Sequence, residues 1–583
     1  MPASLIDADS LLAVDIGTVT TRAVLFDVVE GHYRFIAIGR APSTAAAPFR
    51  DVGEGVRQAI ENLQAVTGRT LLTGDHKLIM PVQNGLGVDT FAASLSAGPP
   101  IKTVVAGLLA DVSLESVKRL ARSTYTRVVE TLGMNDQRKP EEQIDSLLRL
   151  RPDLILIAGG TDGGATRSVQ KLLEVIGLAC YLLPAEVRPV ILYAGNKALA
   201  AEVKSALEPL SSALYISPNL RPSLETEDLQ PAQRILAEHY AQTRRRQMGG
   251  LDELSAWAGG MLVPTAYATG RMIRFLSQDS QNGILGVDIG ASAISVMAGF
   301  GGELTMGVYP QLGLGEALSA LLRYTSLDDI LRWIPLDLPA DSIQQYLYQK
   351  ALYPGSLPAV PEDLAIEQGV ARQALHLAVQ AAARDFPPGA KRMGAGLLPP
   401  FDLILGGGGV LTQAPTRGQS LLMLLDAIQP TGCFTVFLDQ NGLLPALGAA
   451  ADRNPLLPVQ VIETGAFLRL ATVVAPIASA RLGTPILDIR LVDQSGNETR
   501  LNVKQGALET LPLAPGHSGR LFVHPLHRAD IGFGPGRAPA QGIPVSGAVL
   551  GVVIDARGRP LRFPADHVRR REIIKKWLWT LGG

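Results

Sequence analysis

The chain is 583 residues long, 47% hydrophobic and 18% charged, with 53 Lys and Arg set against 54 Asp and Glu. That length exceeds what one core holds, and the composition is globular rather than disordered or fibrous. A formal charge of -1 supplies no overall field for nucleic acid or an anionic membrane, so neither is expected as a partner.

The amino terminus, MPASLIDADS, lacks a basic segment followed by an apolar one, so no signal peptide is expected. Residues 11–27, LLAVDIGTVTTRAVLFD, read as two β-rich runs joined by a polar, glycine-containing turn. Residues 113–132 have helical spacing. Residues 152–158 form an apolar strand that runs into Gly-Gly-Thr-Asp-Gly-Gly at 159–164, followed by a helix over 169–176, a strand over 189–193 and a helix over 196–207. Short strand–helix–strand units predict a parallel, doubly wound sheet. Residues 243–250 (TRRRQMGG) read as an exposed join with three solvated arginines.

The pattern of residues 11–27 returns at 284–299, ILGVDIGASAISVMAG, and both copies contain Val-Asp-Ile-Gly. A repeat so far apart predicts two related half-molecules, with a ligand cleft where such halves face each other. A helix is expected over 362–384, then a strand over 401–405 entering Gly406, Gly407, Gly408 and Gly409. From residue 454 the chain turns β-rich, with hairpin signals around residues 493–497 and 555–558, and ends in a basic, helix-like tail over 567–579. Four regions result: 1–150, 151–245, 246–453 and 454–583.

The first loop carries the most chemistry. Gly17 allows a sharp bend and close approach to a ligand oxygen, and Thr18, Thr20 and Thr21 can donate to phosphate. Asp15 ends an apolar strand, where an unpaired carboxylate is costly, so its expected role is to hold Mg²⁺ through water. A plain β-hairpin with an Asp-Gly turn reads the same way, and it is the second copy that argues for function. Asp288 and Gly290 repeat Asp15 and Gly17, and Ser292 adds a hydroxyl. Asp15 and Asp288 together would hold the metal and position a water against the terminal phosphate. The glycine run would let an adenine or ribose lie against bare backbone, and no GxxxxGK[ST] pattern is present. Thr161 and Asp162, at a strand end, are further ligand candidates, with a self-bonded tight turn as the alternative.

Phosphate loop, second phosphate loop and adenosine loop, in that order, resemble the actin, heat-shock chaperone and sugar kinase superfamily. Within it the chain is most similar to the glutamate mutase accessory family of MutL type, over residues 10–450. The resemblance rests on residues 15–22, Ser94-Leu-Ser-Ala-Gly98, Val104-Val-Ala-Gly-Leu108, LILIAGGTDGG at 154–164, Tyr193-Ala-Gly-Asn-Lys197 and residues 288–290. It implies an α/β, actin-like (ribonuclease H-like) duplicated two-lobed ATPase core, with an inserted α/β region and a carboxyl-terminal β-rich domain. It also implies ATP and Mg²⁺ as cofactors, and accessory or reactivating work on a cobalamin-dependent mutase. The family usually has Lys where Arg22 stands, and Gly-Ala-Thr-Thr-Asp where this chain has Ala291-Ser-Ala-Ile-Ser295. A small-molecule kinase, with Asp162 as base, and a weakly hydrolysing nucleotide-dependent scaffold are the alternatives, and self-association is left open.

Cys180 and Cys433, far apart in apolar surroundings, exclude a disulfide framework and read as small buried hydrophobes in a reducing compartment. The apolar stretch 464–480 is broken by Arg469 and Pro476 short of a membrane span, so a cytoplasmic protein is expected.

Overall fold

LLAVDI has no polar alternation apart from Asp15, which is the pattern of a strand covered on both faces. In the computed structural model, which describes residues 9–582, every residue of Leu11–Ile16 is buried. Residues 1–8, on which the reading of the amino terminus largely rests, lie outside the described residues, as does residue 583. The chain divides into two compact units, Met1–Ala268 with Pro445–Pro458, and Thr269–Leu444 with Val459–Gly583.

In the first unit Leu11–Ile16 pairs antiparallel with Thr20–Val29, which pairs antiparallel with His32–Pro42. On its other side it runs parallel to Thr90–Leu95, which runs parallel to Leu262–Pro264. Numbered along the chain, the order is 3-2-1-4-5 with only the second strand reversed. Helix Val52–Thr67 covers this sheet through Val56, Ala59, Ile60 and Leu63, and Asp51 caps it by accepting from Gly53 N.

The same unit carries a second sheet, wholly parallel, of Ile101–Gly107, Thr126–Gly133, Leu154–Ile157, Val190–Tyr193 and Ala213–Ile216. Its order is 2-1-3-4-5. Val104, Ala106, Ile155, Ile157, Ile191 and Tyr193 share a core with helices Pro140–Leu150, Arg167–Leu182 and Ala200–Leu207. Alternate strand residues point the other way, toward Glu115–Arg122, so the sheet is doubly wound as expected.

Two expectations in this unit fail, the second in part. The helix read over 113–132 is a π-turn, Ala110–Leu114, and a short helix, Glu115–Arg122; a strand then takes Thr126–Gly133. The β-branched run Thr126, Val128, Val129 favours the parallel pairing available beside Ile101–Gly107. The join at 243–250 is solvated in part: Arg245 and Arg246 are exposed as read, but the first arginine of the run is not. Arg244 is fully buried, donating to the Tyr240 hydroxyl at 2.9 and 2.8 Å, to Gln247 Oε1 at 2.7 Å and to the Pro99 carbonyl.

The second unit repeats the 3-2-1-4-5 order with Ile284–Ile289, Ile294–Phe300, Glu303–Tyr309, Leu403–Gly407 and Gly432–Leu438. Leu468–Ala475, Val552–Asp555 and Leu508–Leu511 extend that sheet to eight strands. Four others, Pro485–Asp493, Glu498–Lys504, Ser518–Pro525 and Ile543–Ser546, make a separate antiparallel sheet. The β-rich terminal region thus contributes to both. The hairpin over residues 493–497 forms; the one read around 555–558 does not, because Val552–Asp555 pairs with distant strands and the chain then turns inward.

Helix His567–Thr580 is basic as read, but Trp577 is packed into the core, leaving Trp579 exposed. No helix among the described residues is long and apolar enough to cross a membrane. Cys180 is buried in the inserted core, where burial pushes its thiol up to about 12, and burial does the same to Cys433.

Candidate functional site

In the first unit Asp15 stands one residue before the carboxyl end of the central strand, in register with Ser94. Ser94 is in turn in register with Val263, two residues before Thr265. The Ser94 and Thr265 hydroxyls each donate to Asp15 Oδ1 at 2.8 Å, and Arg22 reaches Oδ2 at 3.3 Å. Asp15 is only 4% exposed, so these three donors are what compensates its charge for burial. Sequence reading missed both hydroxyls as partners. Ser94 lies within a family motif, but nothing local marks Thr265, 250 residues away.

The turn after Asp15 closes with Gly17 N donating to the Thr20 carbonyl at 3.1 Å, and Ser43 N donates to the Val19 carbonyl from outside. A Cβ on Gly17 would lie 2.8 Å from the Thr20 carbonyl oxygen, so the turn needs glycine. The Thr18 and Thr21 hydroxyls are buried with no hydrogen-bond partner among the described residues. An unsatisfied buried hydroxyl is costly, and a ligand oxygen would relieve it.

The second unit builds the same turn. Gly290 N donates to the Ala293 carbonyl at 3.0 Å, and Leu314 N braces the Gly290 carbonyl at 3.0 Å. Ser292 is half-buried within it. Asp288 is in register with Gly407 on the neighbouring strand, and a Cβ at Gly407 would lie 3.0 Å from Asp288 Oδ1. Gly406 packs on Leu424; Gly408, at φ +98, sits where a Cβ would be 2.2 Å from the Ile289 carbonyl oxygen. Gly409 opens onto free space. The fold therefore gathers Asp288, Gly290 and the glycine run at one sheet edge of this unit, and Asp15, Gly17, Thr18, Thr20 and Thr21 at one sheet edge of the other.

Thr161 and Asp162 lie on neither of these sheets but at the carboxyl edge of the inserted parallel one. Asp162 Oδ1 accepts from Lys197 N at 3.1 Å and from Asn219 Nδ2 at 3.0 Å, while Asn196 Oδ1 accepts from Gly163 N at 3.2 Å. The two family segments, GGTDGG and AGNK, thus bind one another.

The residues present fit a nucleotide with Mg²⁺. Each duplicated turn carries an aspartate at its strand end; among the described residues the first turn has two unsatisfied hydroxyls, and Arg22 makes one long contact to Asp15 Oδ2.

Protein MutL of Clostridium tetanomorphum is 25% identical over 409 residues, covering 64% of this chain and 85% of its own. Among solved structures, nucleotide-free acetone carboxylase is 13% identical over 86% of this chain and 81% of its own, with a TM-score of 0.33. Component A of the Acidaminococcus fermentans (R)-2-hydroxyglutaryl-CoA dehydratase is 9% identical over 76% and 96%, with a TM-score of 0.25. The duplicated 3-2-1-4-5 strand order, not these distant likenesses, carries the fold. The MutL protein family model matches residues 11–465, well over half of the chain, and the protein belongs to that family.

Proposed function

We propose that the protein is an ATP-binding accessory factor, acting with Mg²⁺, whose partner is a cobalamin-dependent mutase. The observation that carries the nucleotide reading is the duplicated turn: an aspartate at the strand end, then a glycine whose N–H closes onto the carbonyl three residues on, at 3.1 and 3.0 Å. Thr18 and Thr21 would donate to phosphate oxygens, with Thr20 and Ser292 beside them in the two turns. Gly290 and the run Gly406, Gly407, Gly408 and Gly409 keep backbone bare for the nucleoside.

Asp15 and Asp288 would hold Mg²⁺ through water, and the metal when bound supplies positive charge against the phosphates. Asp15 is prepared for this by Ser94 and Thr265, which fix one carboxylate oxygen and leave the other toward Arg22. The mutase partner is implied by the family, and hydrolysis of the bound ATP would follow from a water positioned between metal and terminal phosphate. Asp162 is tied to Lys197 N and Asn219 on another sheet, which favours the accessory reading over a kinase that uses it as base.

Calorimetry of ATP with and without Mg²⁺, on wild type and Asp15→Asn, tests the reading, with phosphate release followed in parallel. Asparagine keeps an acceptor for the two hydroxyls while removing the charge. Binding to the wild type that needs Mg²⁺ and falls at least tenfold in the variant, with slow phosphate release, is expected. Wild type that binds no ATP would refute the assignment. Binding without phosphate release would leave a nucleotide-dependent scaffold.

A further inference from the structure

Charge is unevenly shared along the second unit. Between Arg332 and Arg372 the chain has one cation, Lys350, against Asp337, Asp341, Glu362, Asp363 and Glu367. Lys350 is buried and pairs with Glu367 at 2.7 Å, and Asp337 pairs with Arg571 at 2.8 Å. Asp341, Glu362 and Asp363 leave the stretch acidic. Glu316 and Arg323, on the short helix Glu316–Arg323 packed beside it, offset each other.

Between those acids lies an uncharged strap, residues 351–361 (ALYPGSLPAVP). The end of helix Ala340–Leu352 and the strap leave Tyr348, Leu352, Tyr353, Leu357 and Val360 exposed, Leu352 to 75% and Leu357 to 73%. Single exposed apolar side chains are ordinary, whereas five within thirteen residues make a patch. The strap's backbone is held in place. Lys350 Nζ donates to the Ser356 carbonyl, and Ser356 N and Oγ donate to the Tyr353 carbonyl at 3.0 and 2.8 Å. Pro354, Pro358 and Pro361 stiffen it further. A preformed surface of this kind gives up little conformational entropy on binding.

Helix His567–Thr580 offers the complement. Ile574 and Trp577 turn inward, while Val568, Arg569, Glu572, Lys575, Lys576 and Trp579 form an exposed stripe, with Trp579 exposed to 82%. Three cations to one anion make the stripe basic, and an apolar side chain stands at each end. The two surfaces adjoin, because Arg571 of this helix holds Asp337, three residues before Ala340–Leu352 begins.

We infer that this face is where a second copy of the chain docks, the basic helix of each protomer lying on the acidic-rimmed apolar strap of the other. Two complementary patches side by side on one chain are what a two-fold axis brings together, with each contact made twice and the assembly closed at two. Trp579 would bury against the strap while Arg569, Lys575 and Lys576 meet Asp341, Glu362 and Asp363, an aromatic anchor with charge around it. An anionic membrane would suit the basic helix but is opposed by the acidic stretch beside it; a second copy suits both.

Sedimentation velocity of the full chain over a wide concentration range, without nucleotide, tests this. A dimer that weakens as salt is raised is expected. Trp579→Ser and Leu357→Ser, at exposed positions, should each raise the dissociation constant at least about tenfold with the thermal midpoint unchanged. Lys575→Glu with Lys576→Glu, and separately Asp341→Lys with Glu362→Lys, should each give folded monomers, and mixing the two charge-reversed proteins should restore a dimer. A wild type that is monomeric at every concentration would overturn the inference and leave the face to an unlike partner. A dimer indifferent to Trp579→Ser, or charge-reversed proteins that fail to pair when mixed, would overturn it as well.

Discussion

Asp15 shows how much a single carboxylate depends on residues distant in sequence. Its Oδ1 accepts two hydroxyl bonds at 2.8 Å, from Ser94 and Thr265, and the residue is largely buried. Hydrogen bonds to a buried charge contribute about 1.5–3 kcal/mol each. Thr265→Val keeps the shape and removes the donor, so it should lower unfolding stability by about that amount in urea titration. It should also weaken Mg²⁺-dependent ATP binding, because the carboxylate is then free to turn toward Arg22. Thr265→Ser restores the hydroxyl and should recover both. A variant that loses stability without any change in ATP affinity would detach Asp15 from the nucleotide.

At the scale of elements, local patterns were read well and buried charge was not. LLAVDIGTVTTRAVLFD and ILGVDIGASAISVMAG announce strand–turn–strand by composition alone, and both fold that way. The parallel inserted sheet was equally legible, because covered strands are continuous apolar runs. Arg244 was misread because a charged run is ordinarily solvated, and its partners Tyr240, Gln247 and the Pro99 carbonyl are fixed only by the tertiary fold. The same blindness hid residues 555–559.

There the apparent turn is a buried ion network. Arg557 donates to Asp555 at 2.8 and 2.9 Å and to Asp426 at 2.6 Å, while Arg372 reaches Asp426 at 2.9 Å and Arg559 reaches Asp555 at 2.6 Å. Arg557 also lies 4.6 Å over the Trp577 ring, which joins the strand Val552–Asp555 to helices Arg417–Ile428 and His567–Thr580. Burial alone would raise Asp555, but Arg557 and Arg559 hold it well below the usual carboxylate range. Its folded value is therefore depressed. The stability it contributes is complete above the unfolded value of about 4 and is lost as pH falls through the lower folded value. Asp555→Asn leaves two arginines under-compensated and should cost about 3–5 kcal/mol at pH 7. Urea midpoints measured from pH 7 downward should show the wild type losing stability below about pH 4 and the variant a flatter acid limb.

At the scale of the whole molecule, the chain does not finish one unit before starting the next. Unit 1 is completed by Pro445–Pro458, which arrives after the first five of the eight strands of the second unit's larger sheet. What holds that return is close backbone packing. A Cβ on Gly448 would lie 1.9 Å from the Ala268 carbonyl oxygen, and Arg453 donates to the Ala258 carbonyl at 2.6 Å. Ala268 cannot yield without moving the helix Thr265–Leu276, whose first residue carries the hydroxyl that holds Asp15. Gly448→Val should therefore act at two distances. Locally it overpacks the contact, at a cost of roughly 1–3 kcal/mol or more. Through Thr265 it should also loosen Asp15 and weaken ATP binding, although residue 448 touches neither phosphate loop. Urea unfolding and ATP calorimetry on the one variant separate the outcomes. Loss of stability together with ATP affinity supports the coupling through the helix. Loss of stability with wild-type ATP affinity would mean that Ser94 and Thr265 keep Asp15 in place whatever happens to the returning segment.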